Sequence, residues 1–218
     1  MAKVSLIIDG QPVTAPEGQS VLQVALDNGI YIPNLCHIPG RDEPLASCRL
    51  CFVTVSGKER PVPACTEPAT TGLVVSTRSE AALRLARRAF ELLMASHAVD
   101  CAHCARNGSC ELQKIARHLK TTLRPRGLRR LLKDLPVDNS HPDLVYDPNK
   151  CVLCERCVWA CRQQGNTVLG MAHRGFGRRL TTFRDLPLGE SDCRRCTACA
   201  EVCPTGALVL RKPTAARH

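Results

Sequence analysis

Hydrophobic and polar positions alternate in short runs along the first third of the chain, which is typical of β-strands. Four segments carry this alternation: residues 3–9, 13–15, 51–56 and 73–76. Asp9-Gly10 predicts a hairpin turn between the first two segments. Ser20 and Gln23 form a capping box that predicts the start of a short helix, and Gly29 predicts its end. Two strands, a helix and further strands predict a β-grasp fold.

Helical periodicity replaces the alternation between residues 77 and 119. Thr77 and Glu80 form a second capping box, which predicts the start of the longest helix. The apolar residues of this helix recur at helical spacing up to His97: Ala82, Ala86, Ala89, Phe90 and Leu93. The same spacing returns after Cys110: Leu112, Ile115, Ala116 and Leu119. The sequence therefore predicts two helices on either side of a cysteine-rich loop.

Cysteine is the distinctive part of the composition, because the 218 residues include fifteen, an odd number. The N-terminus lacks the pattern of a secretion signal, and no segment approaches the roughly 20 apolar residues of a membrane-spanning helix. We therefore expect a cytoplasmic protein that binds no membrane. Because the cytosol keeps thiols reduced, metal ligation explains the cysteines better than disulfides do. Aromatic residues are only 3% of the chain, so bound metal is expected to supply part of the stability.

Spacing sorts the fifteen cysteines and His97 into four groups of four, the number of ligands that an iron-sulfur cluster takes from its protein. The most specific pattern is C-x2-C-x2-C-x3-C, which occurs twice near the C-terminus. In folds with this repeat, the fourth cysteine of each run binds the other run's cluster. One 4Fe-4S cluster is therefore assigned to Cys151, Cys154, Cys157 and Cys203, and its twin to Cys161, Cys193, Cys196 and Cys199. Zinc is disfavoured, since tetrahedral zinc sites typically use separated C-x2-C pairs.

The first group of cysteines predicts a 2Fe-2S cluster. Its members are Cys36, Cys48, Cys51 and Cys65. Eleven residues separate Cys36 from Cys48, whereas plant-type ferredoxins begin C-x4-C-x2-C, so the departure is confined to the first loop. A structural zinc in a small β domain is the alternative.

The second group predicts a 4Fe-4S cluster with one histidine ligand. Its members are His97, Cys101, Cys104 and Cys110. An imidazole in place of a thiolate removes one negative charge, which should make the cluster easier to reduce. His103 is the competing ligand. We favour His97, because a side chain inside a C-x2-C turn points away from the corner that both cysteines occupy.

The formal net charge of +10 raises the possibility of nucleic-acid binding. Four oxidised clusters with these ligands carry about −7 together, which leaves the loaded chain near roughly +3. Few aromatic residues are available to stack on bases. We therefore expect no nucleic acid, and an iron-sulfur nucleic-acid-binding or structural module is the alternative from another functional class.

A basic segment, residues 114–133, holds eight lysines and arginines and no acidic residue. Pro125 and Gly127 interrupt it, so a continuous helix is not expected. A solvated connector and a docking surface for a partner are both compatible with this charge.

Nucleotide-binding motifs are not evident. The sequence has no G-x-G-x-x-G after a strand and no P-loop, so we expect this chain to bind neither flavin nor nucleotide. Every cysteine is already used, which leaves none for a nickel-iron centre. The chain is thus predicted to carry electrons without converting a substrate.

Four stretches together resemble one electron-transfer module: residues 33–36, 48–51, 97–113 and 147–151. The module is similar to the N-terminal part of the large iron-sulfur subunit of NADH-quinone oxidoreductase (complex I). It is also similar to the accessory domain of iron-only hydrogenases and to the same region of NAD-dependent formate dehydrogenases. The resemblance spans residues 1–210, and all sixteen ligand positions match. In length the chain looks most like the small diaphorase subunit of soluble NAD-reducing nickel-iron hydrogenases.

This resemblance implies a hetero-oligomer with a defined electron path. A flavoprotein subunit would oxidise NADH, and this chain would pass single electrons to the small and large hydrogenase subunits as a non-catalytic member of the oxidoreductase. The equivalent subunit of an NAD-dependent formate dehydrogenase or of NADH-quinone oxidoreductase is the alternative. The complex I subunit keeps one cluster in the duplicated region, and four cysteines depart from that pattern: Cys161, Cys193, Cys196 and Cys199.

The predicted fold class is α+β in four successive segments. Residues 1–77 are predicted to form a β-grasp 2Fe-2S ferredoxin domain, and residues 78–122 a small helical domain with a His/Cys3 4Fe-4S site. Residues 123–146 are predicted to be a basic linker. Residues 147–212 are predicted to form a duplicated bacterial-type ferredoxin domain with two 4Fe-4S clusters.

Overall fold

The computed structural model describes residues 2–211, which form two compact units. The first unit comprises residues 2–93 and 114–128, and the second comprises residues 94–113 and 129–211. Within the described residues, every helix is too short or too polar to cross a membrane.

The first unit is built around a five-stranded sheet. Its elements are β1 (Lys3–Ile8), β2 (Gln11–Pro16), α1 (Val21–Asp27), β3 (Phe52–Val55), β4 (Val62–Pro63) and β5 (Val74–Ser76). The strand order is β2-β1-β5-β3-β4, in which β1 and β5 are parallel and the other neighbours are antiparallel. Alternate residues of β1 are buried, as the sequence predicts. The two-residue strand β4 was not predicted, because so short a segment carries no periodicity.

Local chemistry fixes the turns of this unit where the sequence predicts them. Asp9 and Gly10 both have positive φ, 51° and 81°, as a two-residue hairpin turn requires. The backbone N–H of Gln23 donates to the Ser20 hydroxyl at 3.2 Å, which caps the first turn of α1. Gly29 follows the end of α1 with a φ of 73°, a backbone conformation that favours glycine.

A single apolar core lies beneath this sheet and contains two of the predicted ligands. Its largest fully buried side chains include Leu6 and Ile8 of β1 and Leu22 of α1. Cys51 and Cys65 belong to the same buried cluster. Their thiols are therefore held by the packing of the core rather than by a surface loop.

Two helices flank the second group of ligands along the chain: α2 (Glu80–Ala95) and α3 (Glu111–His118). The predicted cap of α2 was wrong by two residues. The Ser79 hydroxyl accepts from the N–H of Ala82 at 3.3 Å, whereas the N–H of Thr77 donates to the Asp9 carboxylate at 2.8 Å. Thr77 cannot cap the helix because its polar groups are already bound to Asp9.

The second unit contains short elements between its cysteines. They are β6 (Leu144–Tyr146), α4 (Arg156–Gln163), β7 (Gly170–Ala172), β8 (Arg179–Thr181), α5 (Ala198–Glu201) and β9 (Leu208–Leu210). β6 pairs with β9, and β7 pairs with β8, both antiparallel. Leu144, Leu180 and Leu208 are buried in the core of this unit, together with Cys157, Cys161 and Cys199.

The backbone of the second unit repeats itself at the two cysteine runs. Leu153 and Glu155 precede α4 with φ values of 56° and 60°. Arg195 and Thr197 precede α5 at the matching positions, both with a φ of 59°. Non-glycine residues rarely adopt this conformation. The same turn at equivalent positions is therefore a structural repeat and agrees with the duplicated spacing of the cysteines.

Candidate iron-sulfur sites

The four cysteines of the first group lie together and are all buried. Their thiols form two hydrogen-bonded pairs, Cys36 with Cys48 and Cys51 with Cys65. The bond from Cys48 lowers the pKa of Cys36 to about 5, and the same bond and burial raise the pKa of Cys48. The pKa of Cys51 is raised and that of Cys65 lowered in the same way. Each of these thiols must be deprotonated before it can bind a metal.

The loop from Cys36 to Cys48 is shaped by its backbone. Ala46 and Arg49, on either side of Cys48, have positive φ values of 47° and 55°. The N–H of Cys48 approaches the sulfur of Cys36 at 3.5 Å. Nε2 of His37 lies 2.7 Å from Oε1 of Gln23, which ties the start of the loop to α1. The eleven-residue loop thus returns to bring Cys48 beside Cys36.

The second group lines one small cavity. His97, Cys101, Cys104 and Cys110 are among its lining residues. Nδ1 of His97 is buried in the structure and has no hydrogen-bond partner. Burial, followed by the positive charge of Lys150, lowers the pKa of His97 to about 4. The imidazole is therefore neutral at pH 7, the protonation state that binds metal.

His103, the competing candidate, points to solvent. Its side chain is 84% exposed, and Nδ1 lies 2.9 Å from the carboxylate of Asp100. The structure therefore brings His97, and not His103, into the cavity with the cysteines.

Gly206 makes a close approach to the second group that sequence reasoning missed. A Cβ at this position would stand 2.4 Å from the sulfur of Cys104. Two hydrogen bonds join the same two parts of the chain. The Pro204 carbonyl accepts from the N–H of Glu111 at 3.0 Å, and Arg106 donates to the Ala200 carbonyl at 2.7 Å. No spacing rule predicts the contact, because it joins residues far apart in the sequence.

The third group combines one cysteine run with the last cysteine of the other. Cys151, Cys154, Cys157 and Cys203 line one cavity. Burial, followed by the charges of Cys203 and Cys151, raises the pKa of Cys154 to about 12. The N–H of Leu153 donates to the sulfur of Cys151 at 3.5 Å. The four sulfurs are thus close enough to disfavour one another's ionised forms.

The fourth group has the complementary membership. Burial and then the charges of Cys193, Cys196 and Cys161 raise the pKa of Cys199 to about 12. Cys161 and Cys199 are buried, whereas Cys196 is exposed. The exchange of the fourth cysteine between the runs, which the spacing predicts, matches these neighbours.

The second and third groups surround cavities, as the ligands of a cluster would. The buried Nδ1 of His97 lacks a partner that a metal would supply.

Family models match three parts of the chain. A 2Fe-2S iron-sulfur cluster binding domain matches residues 1–80. The iron-sulfur binding region of NADH-ubiquinone oxidoreductase-G matches residues 87–122. A 4Fe-4S dicluster domain matches residues 150–207. The chain therefore has a mixed α+β fold with 2Fe-2S and 4Fe-4S ferredoxin-type domains.

Curated relatives are longer than the matched region. The chain is 34% identical to the NADP-reducing hydrogenase subunit HndD of Solidesulfovibrio fructosivorans, over 96% of this chain and 36% of that protein. It is also 34% identical to an NADH-quinone oxidoreductase subunit of Rhizobium meliloti (strain 1021), over 94% of this chain and 24% of that protein. The chain thus spans 36% and 24% of the lengths of these two relatives.

A solved structure matches the whole fold. It is a chain of an NAD+-reducing [NiFe]-hydrogenase in the H2-reduced state, with a TM-score of 0.87 and 33% sequence identity. The match covers 100% of this chain and 91% of that chain. The resemblance read from the sequence is confirmed. The chain belongs to the family of iron-sulfur electron-transfer subunits of oxidoreductase complexes.

Proposed function

We propose that this chain carries single electrons between a flavin/NAD(H) subunit and a hydrogenase module of a soluble, cytoplasmic NAD-reducing hydrogenase. The observation that carries the proposal is the grouping of fifteen cysteines and His97 into four sets of neighbours. Similarity to a chain of an NAD+-reducing [NiFe]-hydrogenase supports the identity of the complex. A hetero-oligomer with a flavoprotein and the small and large hydrogenase subunits follows from this proposal.

The proposed cofactors are one 2Fe-2S cluster and three 4Fe-4S clusters. The 2Fe-2S cluster is assigned to Cys36, Cys48, Cys51 and Cys65. The 4Fe-4S clusters are assigned to three sets: His97, Cys101, Cys104 and Cys110; Cys151, Cys154, Cys157 and Cys203; and Cys161, Cys193, Cys196 and Cys199. When bound, such clusters supply one-electron redox chemistry. We also propose that these clusters lie in the domains predicted from the sequence. These are a β-grasp domain at residues 1–77, a small helical domain at residues 78–122 and a duplicated ferredoxin domain at residues 147–212, with a basic linker at residues 123–146.

The residues around the ligands suit this chemistry. Backbone N–H groups point at several of the sulfurs, including those of Cys36, Cys110 and Cys151. Such hydrogen bonds offset negative charge on thiolates and tune the metal they bind. Eight of the sixteen proposed ligands are buried, which limits the access of water to them and restricts their motion when the charge changes. Neutral His97 contributes one negative charge fewer than a thiolate would.

NADH-quinone oxidoreductase is the second candidate complex. It is supported by the match of residues 87–122 to the NADH-ubiquinone oxidoreductase-G region and by 34% identity to the Rhizobium meliloti relative. Purification of the native complex followed by mass spectrometry separates the two candidates. Nickel-iron hydrogenase subunits among the co-purified proteins favour our proposal, and proton-pumping membrane subunits favour the alternative.

Iron and acid-labile sulfide analysis of the anaerobically purified chain tests the cluster count. We expect about fourteen iron atoms per chain, the total for one 2Fe-2S and three 4Fe-4S clusters. The isolated chain should neither oxidise NADH nor take up hydrogen. Several zinc ions per chain, or an iron content near about four, would contradict the proposal.

A further inference from the structure

Lys150 places a charged side chain in the cavity that holds the second group of ligands. It lines this cavity with His97, Cys104 and Cys110. Its Nζ lies 2.9 Å from Oδ2 of Asp147, and the two side chains are only 18% and 14% exposed. A mostly buried ion pair is costly to desolvate, so its presence beside a redox site calls for a functional explanation.

The backbone around this ion pair is held by several bonds. The Thr205 hydroxyl donates to the Lys150 carbonyl at 2.9 Å. The N–H of Ala98 donates to the Asn149 carbonyl at 2.8 Å, directly beside His97. Oδ1 of Asp147 accepts from the N–H of Asn149 at 3.0 Å. The backbone that carries both side chains is therefore tied to the segment that follows His97.

Gly206 lets the Lys150 side chain approach a ligand. A Cβ at this glycine would meet the sulfur of Cys104 at 2.4 Å and Cδ of Lys150 at 3.6 Å, so the thiol and the lysine chain lie close to each other beside Gly206.

We infer that Lys150 and Asp147 set the reduction potential of the cluster bound by the second group, Lys150 by raising it and Asp147 by lowering it. Reduction adds one electron, and therefore one negative charge, to a site whose four proposed ligands are half-buried. A fixed positive charge nearby stabilises the reduced state, and a fixed negative charge destabilises it. The inference rests on the proposed function, because it requires a cluster at His97, Cys101, Cys104 and Cys110.

Opposite potential shifts in two variants of the full-length chain test the inference. Lys150→Met keeps the length of the side chain and removes its charge, and Asp147→Asn keeps the oxygen that accepts from Asn149. In an EPR-monitored redox titration, Lys150→Met should shift the one-electron equilibrium of this cluster at least tenfold towards oxidation, which corresponds to about 59 mV. Asp147→Asn should shift the same equilibrium towards reduction. The signal is assigned to this cluster by its change in His97→Cys.

Lys133→Met is the matched control. Lys133 is half-buried and lies near Cys151 of the third group, whose pKa its charge lowers. The same substitution there should leave the potential of the His97 cluster unchanged. A change of protein stability alone would not produce opposite shifts in the two test variants and none in the control.

Two results would overturn the inference. One is a set of variants that keep all their iron but show no shift, or shifts of the same sign. The other concerns Lys150→Arg, which keeps the positive charge. The inference fails if the His97 cluster of this variant differs in potential from that of the unmodified chain as much as the cluster of Lys150→Met does. Lys150→Arg also decides the question if Lys150→Met loses the cluster. Failure of the proposed function is distinguishable, because the unmodified chain would then lack the signal that responds to His97→Cys.

Discussion

A methyl group at Gly206 is expected to expel one cluster from the chain. In Gly206→Ala the new Cβ would stand 2.4 Å from the sulfur of Cys104, whereas unbonded heavy atoms typically approach to about 3.5–4.0 Å. The φ of Gly206 lies outside the left-handed region, so alanine fits the backbone and only the contact opposes it. The contact with Cδ of Lys150 at 3.6 Å is an ordinary one.

The size of the effect depends on whether Cys104 binds iron. A free thiol can rotate about its Cα–Cβ bond and relieve an overlap of about 1 Å at little cost. A thiolate fixed by a cluster cannot, so either the backbone at residue 206 moves or the ligand is displaced. Overpacking of this kind typically costs about 1–3 kcal/mol. Loss of the cluster would remove about four of the expected fourteen or so iron atoms.

Gly170→Ala provides the control. Gly170 lies in β7 of the same unit, has no positive φ, and its Cβ would meet no atom within 4 Å. Iron analysis, EPR spectra and thermal unfolding of the two variants should separate steric overlap from the general effect of replacing glycine. Gly206→Ala could instead retain all its iron and the EPR signal of the His97 cluster, and unfold at the same temperature as Gly170→Ala. Cys104 would then be free to move, and its assignment as a ligand would be wrong.

Four further variants test other parts of the structure and the proposal. His97→Cys should keep a 4Fe-4S cluster at a lower potential, because the ligand set gains a negative charge. His103→Ala should leave all EPR signals intact. If His103→Ala instead loses a signal and His97→Cys changes none, His103 is the ligand. His141 is 2% exposed, and its Nδ1 accepts from two backbone N–H groups. Burial lowers the pKa of His141 below its usual 6.5, so the unfolded chain binds more protons and stability should fall as pH drops below about 6.5. His141→Asn, which keeps an acceptor but does not titrate, should reduce this acid sensitivity in thermal unfolding measured from about pH 5 to 8. If the unmodified chain and His141→Asn lose stability equally at low pH, His141 is not the cause. Reversal of the exposed Arg129 and Arg130 to Glu should weaken assembly with partner subunits, most visibly at low salt, without changing the iron content. An unchanged salt dependence would favour a solvated connector.

The parts of the fold that the sequence predicts are those governed by neighbouring residues. The turn at Asp9-Gly10 and the cap at Ser20 depend on residues within a few positions of each other, and both are found. Thr77 fails as a cap because its partner, Asp9, lies far away in the sequence. A local pattern cannot reveal that a side chain is already bound by a distant one.

The same reasoning explains what the sequence reveals of the sites. Cysteine spacing groups the ligands because each short run shapes its own turn, as the matching φ values before α4 and α5 illustrate. Gly206 and Lys150 carry no such signal. They meet Cys104 only after three separate parts of the chain have packed together. The proposed grouping of the ligands can therefore be derived from spacing, whereas the residues around them cannot be predicted in this way.

The positively charged residues of the chain lie in two kinds of environment. Lys150 is mostly buried beside the second group of ligands, and half-buried Lys133 lies near Cys151. Charges in such positions are poorly screened and act mainly on the nearby thiolates. Arg129 and Arg130 are exposed, where charge affects association with other molecules more than the fold. In the proposed complex, part of the net charge of +10 would therefore compensate the anionic clusters from within, and part would remain available to an acidic surface on a partner.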